Sequence, residues 1–344
     1  MDSKTKFRRL SLGSALAIVA TALAAIPPAA ATAADEVVLG ALRFTSHGAG
    51  FVAAEKGYFK AEGLNVKFKF FQAAQPIAVA TAGGDVDFGV TGVTGGLMNL
   101  AEKNAIRIVG GVLHEKKGVD GMIVLASNQA HAKGLKTIDD MPGHSVSMTQ
   151  VGSTFHYMTS RIAEAKGWNM KDIKMVPLQK VGSMVAAIKS GQTDIMIMVP
   201  HIAKALAGAG AAKQIGKLND YVEYQISTMI TSVRNIRNKP EKVRRFIRAY
   251  SRGIADMNRV MLSPDADRAE REALTKIIHK YVYVNRPYEK AAPAIQKGAM
   301  YLNEGAALNK TDIAKQMKWF KDSKLVDSDL TIDQLVDGSF VRTY

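Results

Sequence analysis

Cysteine is absent from the 344-residue sequence. That excludes a disulfide scaffold, a thiolate zinc site, an iron–sulfur cluster and a cysteine nucleophile. The seven histidines form neither a His-Glu-x-x-His nor a His-x-His pattern, so the familiar metallohydrolase spacing is missing as well. Acidic residues are outnumbered, 31 Asp and Glu against 46 Lys and Arg, for a formal net charge of +15. Such a balance permits an acidic partner without naming one. Beyond the first thirty-odd residues, no stretch is apolar for long enough to span a bilayer. What is present, 47% hydrophobic and 22% charged residues, is the composition of a folded chain. Its length suits roughly two domains.

The start of the chain has a separate logic. Lys4, Lys6, Arg8 and Arg9 precede an apolar run over residues 10–26, then Pro27-Pro28 and the small residues Ala31-Thr32-Ala33. This order predicts a secretory signal over residues 1–33, removed on export, with Arg8-Arg9 only loosely like a twin-arginine signal. No cysteine follows the apolar run, so the mature chain is expected free in a periplasm and not as a lipoprotein.

The remainder alternates strands with helices. Apolar runs at 37–44 and 64–71 predict strands, the second from the alternation of Val66, Phe68 and Phe70 with Lys67 and Lys69. A helix over 76–81 and a strand over 85–90 follow. Similar signals recur about 107 to 110 positions later, from the strand at 144–149 to that at 194–199. Gly84-Asp85-Val86-Asp87-Phe88 is echoed by Gly191-Gln192-Thr193-Asp194-Ile195. The retained Asp reads as a turn cap, and Asp85, replaced by Gln192, does not read as half of a catalytic carboxylate pair. Two α/β lobes are expected: 34–125 as the first part of one, 126–225 as the second, and 226–344 returning to the first with C-terminal helices. Apolar runs at 106–112, 122–125 and 226–233 are read as strands of the crossovers, and Pro264, Pro287 and Pro293 as helix stops.

Several motifs resemble a known family. They are Phe51-Val52-Ala53-Ala54-Glu55-Lys56-Gly57-Tyr58-Phe59 with Glu62-Gly63-Leu64-Asn65-Val66, and Gly84-Asp85-Val86-Asp87-Phe88-Gly89. Further on come Gly152-Ser153, Gly167 with Asp172, residues 186–194, Lys239-Pro240-Glu241-Lys242-Val243, Trp319-Phe320, and Leu335-Val336-Asp337-Gly338-Ser339-Phe340. Together they resemble the periplasmic substrate-binding proteins of ABC importers in the nitrate, taurine and alkanesulfonate group, which share a domain with thiamine-pyrimidine-precursor proteins. The resemblance implies a two-lobed periplasmic-binding-protein clamshell, each lobe a mostly parallel sheet flanked by helices. It also implies closure on a small molecule that is presented to an inner-membrane permease. The cysteine-rich motif of the pyrimidine synthases is missing, which speaks against that activity.

Within this frame, Ser46-His47-Gly48 and Gly152-Ser153-Thr154 each lie at a predicted helix start, where unpaired amides and the macrodipole favour an anion. Thr91, Gly92 and Thr94 follow the third strand, and His156 and His201 add further donors. These eleven residues are the expected ligand contacts; ordinary N-capping is the competing reading of the Ser and Thr residues. Phe44, Phe51, Phe155, Tyr157, Met148, Met196 and Met198 read as core or as an apolar wall, and Arg43 as an anion partner or an outward-facing residue. Arg244, Arg245, Arg248 and Arg252 read as a solvated helix face, and so do Lys315, Lys318, Lys321 and Lys324, with no nucleic-acid motif nearby. The expected function is capture of a small organic anion, a sulfonate or carboxylate with aromatic ones included, by a monomer without cofactor, metal or catalysis. The alternatives are an exported enzyme of the same fold acting on a small carboxylate, and a sensor subunit.

Overall fold

Period-two alternation makes Leu64–Phe71 an edge strand, β2, paired in parallel along all of β1, Asp35–Leu42. The computed structural model describes residues 1–2, 34–327 and 329–344. The predicted signal segment, Met1 and Asp2 apart, lies outside the described residues. β3 (Phe88–Gly92), β4 (Ile106–Gly111) and β12 (Ser227–Ser232) complete the first sheet in the order β2-β1-β3-β12-β4. β12 alone runs against the others.

The second sheet repeats this plan. β6 (Ile123–Ala126), β7 (Ser145–Met148), β8 (Lys174–Pro177), β9 (Ile195–Met198) and β10 (Lys213–Lys217) stand in the order β8-β7-β9-β6-β10, with β6 reversed. Strand for strand the two sheets correspond. Both reversed strands are the ones that follow a crossover, so 122–125 and 226–233 are integral sheet strands and not mere connections. A two-residue ribbon of β5 (His114–Glu115) and β11 (Tyr224–Gln225) ties the crossovers together.

The echoed Asp explains itself once the sheets are seen. Asp87 accepts a hydrogen bond from the Val38 amide at 2.9 Å, and Asp194 accepts one from the Ser145 amide at 2.9 Å. Each carboxylate pins the third strand of its lobe to the first, rather than capping a local turn. Before each, a helix ends on a left-handed glycine, Gly84 at φ 86° and Gly191 at φ 75°, a conformation that costs glycine no Cβ clash.

The C-terminal third packs back on the first sheet through Pro240–Met257, whose Val243, Phe246, Ile247, Tyr250, Ile254 and Met257 follow helical spacing and are buried. Phe246 stacks on Phe88 of β3 with centroids 3.9 Å apart. Its arginine stripe is less free than a solvated face: Arg245 pairs with Asp35, Arg248 with Glu62 at 2.8 Å, and Arg252 lies over the Tyr58 ring. Pro293 does not stop a helix but sits inside Tyr288–Gln296, where burial of Ala291, Ala292 and Ile295 offsets one lost backbone bond. The last long helix, Lys310–Asp322, reaches the second lobe, with Trp319 and Phe320 against Tyr157. Among the described residues, no helix is long and apolar enough to cross a membrane.

Candidate functional site

Parallel strands deliver their following helices to the carboxyl edge of each sheet, and the two edges face one another. Between them lies a small cavity of about 60 Å³. It is reached by residues at or beside the starts of four helices: Ala73 before and Ala74 in Ala74–Gly83, Thr154 and Phe155 in Thr154–Lys166, Val181 in Val181–Ser190, and Val199 before Pro200–Gly208. Ser46 and His47, in the short 3-10 helix Thr45–His47, supply a fifth approach. The positive ends of the helix macrodipoles favour an anion there. None of its described lining side chains is a carboxylate, lysine or arginine.

The walls are otherwise apolar, with Phe44, Leu42 and Leu113 from the first-lobe side and Phe155, Met158 and Val181 from the second. Ser46 is 3% exposed, and its hydroxyl has no hydrogen-bond partner among the described residues. His47 accepts the Leu42 amide on Nδ1 at 3.4 Å, which leaves the proton of a neutral ring on Nε2. Burial pushes this imidazole down to about 3, so it is a neutral donor at physiological pH.

Across the cleft the lobes touch directly. The Gly95 amide donates to the Gly152 carbonyl at 3.0 Å, and the Val181 amide to the Gln72 carbonyl at 3.3 Å. Thr154 Oγ1 donates to the Val93 carbonyl at 3.4 Å, and the Gln150 and Gln75 side chains bond to one another. This is a closed arrangement.

Of the eleven residues expected from the sequence, Ser46, His47, Gly92 and Thr154 line the cavity. The others lie outside its lining. Thr94 and Ser153 cap helices, accepting the Leu97 and His156 amides. Thr91 donates to the Ala74 carbonyl at 2.8 Å. Gly48 packs under Met257, and Gly152, at φ 73°, belongs to the cross-lobe contact. His156 accepts the Gly152 amide and turns edge-on to Trp319, while His201 packs against Phe44 and Tyr283. N-capping is therefore observed at Thr94 and Ser153. Arg43 points away, its guanidinium 3.8 Å from the Phe70 ring centroid and bonded to the Tyr281 carbonyl. Phe51, Tyr157, Met148, Met196 and Met198 are core residues, whereas Phe44 and Phe155 face the cavity.

Sequence reasoning passed over Thr149 and Ser227, which also line the cavity. Their signal is positional: Thr149 directly follows β7, and Ser227 opens β12 straight after the crossover ribbon. Among the described residues, no His, Asp or Glu cluster could hold a metal ion.

A family model described as NMT1/THI5 like matches residues 44–260. Among solved structures, the alkanesulfonate-binding protein SsuA from Xanthomonas axonopodis pv. citri, bound to MOPS, is similar with a TM-score of 0.70 at 16% identity, over 88% of this chain and 98% of that one. The periplasmic nitrate-binding protein NrtA from Synechocystis PCC 6803 is similar with a TM-score of 0.67 at 12% identity, over 88% and 86%. The desulfurization enzyme DszB shares the fold at a TM-score of 0.54 and 13% identity, over 89% and 97%. Identities this low show the fold alone, a two-lobed periplasmic-binding-protein clamshell. No curated protein matches the chain.

Proposed function

Since the chain belongs to the NMT1/THI5-like family, we propose that it is the extracytoplasmic solute-binding component of an ABC importer. It captures a small organic anion, a sulfonate or carboxylate with an apolar or aromatic body, between its lobes. It then hands the anion to an inner-membrane permease. On this reading residues 1–33 are an export signal, and the mature protein works as a periplasmic monomer of about +12 formal charge.

The observation that carries the reading is the Ser46 hydroxyl, buried without a hydrogen-bond partner among the described residues in a cavity that both lobes wall with helix starts. An unsatisfied buried hydroxyl costs about 1–3 kcal/mol, a cost that a bound acceptor removes. The anionic head is held by Ser46, the His47 Nε2–H, the Thr154 hydroxyl and the helix amides. The body lies against Phe44, Phe155 and Met158. A few polar groups orienting a ligand within apolar walls is the usual design of a small-molecule pocket.

An enzyme on this fold is the second reading, favoured by the likeness to DszB. It needs a positioned acid or base, and the lining provides one titratable side chain, His47, which burial keeps neutral.

A thermal-shift screen of the purified protein tests the proposal, with benzenesulfonate, benzoate, alkanesulfonates, taurine and nitrate as probes. A solute at 100 times its Kd stabilises by about 2.7 kcal/mol. Ser46→Ala is expected to abolish most of the shift while raising the melting point of the protein alone. A chemically altered probe would favour the enzyme, and a flat response to every anion would remove the anion reading.

A further inference from the structure

Two imidazoles from opposite lobes meet behind the cavity wall. His47 belongs to the first lobe and lines the cavity, and His201 stands in the first turn of Pro200–Gly208 in the second. Phe44 presents its ring to both, with centroids 6.0 Å from His47 and 5.4 Å from His201, edge-on in each case. His201 is 1% exposed, and much of what covers it comes from the other lobe and the C-terminal helices. Tyr283 stands 5.8 Å away and donates its hydroxyl to the His201 carbonyl, and the Gly298 backbone fits against the His201 Cβ. Parting the lobes uncovers the ring.

Both rings are built to be neutral when the lobes are together. The Leu42 amide hydrogen, from the same lobe, points at His47 Nδ1, so His47 favours its neutral form whether the lobes are open or closed, and His201 is the ring whose surroundings closure changes. His201 Nδ1 is buried with no partner among the described residues, and a charge there would be desolvated and unpaired.

We propose that closing the lobes expels a proton from His201, so that the protein holds its solute at neutral pH and releases it in acid. The proposal rests on the reading of the chain as a solute clamp.

Burial pushes each imidazole down to about 3, and on His201 the neighbouring His47 adds to the effect. In water an imidazole titrates near ~6.5. For His201 the closed state has the depressed value, so its advantage is complete above ~6.5 and is lost as pH falls from there toward about 3. From pH 7.5 to 5.5 the His201 ring weakens closure about tenfold. The titratable groups around the pair are Arg43 in the loop before His47, Tyr281 and Tyr283 on the first-lobe side, and Lys204 one turn beyond His201. Arg43 is committed to Phe70 and the Tyr281 carbonyl, and Lys204 to Asp120. No carboxylate contributes to the shift of either imidazole.

Calorimetric titration with benzenesulfonate, which stays ionised throughout, isolates the protein's own protons at pH 7.5, 6.5 and 5.5. The expected result is about tenfold weaker binding at pH 5.5 than at 7.5 for the unmodified protein, and no such loss for His201→Gln. An affinity that does not change with pH, or an undiminished slope in His201→Gln, overturns the proposal. Small-angle X-ray scattering gives an independent reading without solute. The radius of gyration is expected to rise between pH 7.5 and 5.5 at constant far-ultraviolet circular dichroism. A radius independent of pH overturns the coupling. Absence of benzenesulfonate binding at pH 7.5 counts against the solute class, and scattering then decides the coupling alone.

Discussion

Replacing Gly92 by alanine puts a methyl carbon against Thr154 Oγ1, inside the 3.0 Å that real Cβ atoms keep, and 3.3 Å from Thr154 Cβ. Gly92 ends β3 in the first lobe and Thr154 begins a helix of the second, so the clash exists only when the lobes are together. Relief needs the two loops to part by several tenths of an ångström, against a Thr154 side chain already bonded to the Val93 carbonyl. Overpacking of this kind costs about 1–3 kcal/mol. At about 1.4 kcal/mol per decade, that is roughly a 5- to 150-fold loss of solute affinity. Removing the obstructing oxygen in Gly92→Ala/Thr154→Ala is expected to return affinity to that of Thr154→Ala alone, itself lowered by about 0.5–1.5 kcal/mol through the lost hydrogen bond. Calorimetric titration of all four proteins, with the probe that responds best in the thermal screen, measures the cycle. Additive losses, or wild-type binding by Gly92→Ala, would refute the closed geometry at this point.

Asp87→Ala removes the acceptor of the Val38 amide and leaves the Lys242 ammonium, 5% exposed, without its carboxylate at 2.9 Å; urea unfolding should show a loss of about 2–3 kcal/mol. Glu115 lies at the crossover ribbon with its carboxyl pushed up to about 8 by burial, and it accepts the Met122 amide. Because this folded value is raised, its contribution is fully present below the unfolded carboxyl range near ~4.3 and is lost as pH rises through about 8. Glu115→Gln should therefore gain stability over the original chain progressively across that window, by a few kcal/mol at most, in urea melts at pH 5 and 8.5. Arg43→Ala should change solute affinity less than about threefold, since its guanidinium is spent on Phe70 and the Tyr281 carbonyl outside the cavity.

Element type was legible wherever periodicity or a glycine stop is strong. The alternation at 64–71 and the Gly167 stop after Thr154–Lys166 both reappear at the expected positions. The repeat was legible because each lobe needs the same Asp to pin its third strand to its first, and Asp87 and Asp194 preserve that need. Strand 85–90 slid to Phe88–Gly92 because Asp87 is spent on this staple before the ladder begins. The reversed strands were harder to place, since an apolar run carries no sign of direction. The cavity was read only in part for a similar reason. Ser153 and Thr94 have the residue type of a ligand contact and accept helix amides, whereas Thr154 and Gly92, one and two residues away, line the cavity and meet across the cleft. Which of two adjacent residues turns inward is decided by how two distant loops meet, and that information is tertiary.

Native mass spectrometry of the protein incubated with an equimolar mixture of sulfonates and carboxylates tests the capture of an unaltered anion most directly. The account predicts one adduct per chain, at the mass of an unmodified probe, lost in Ser46→Ala. A released probe of changed mass, or no adduct from any member of the mixture, would contradict it.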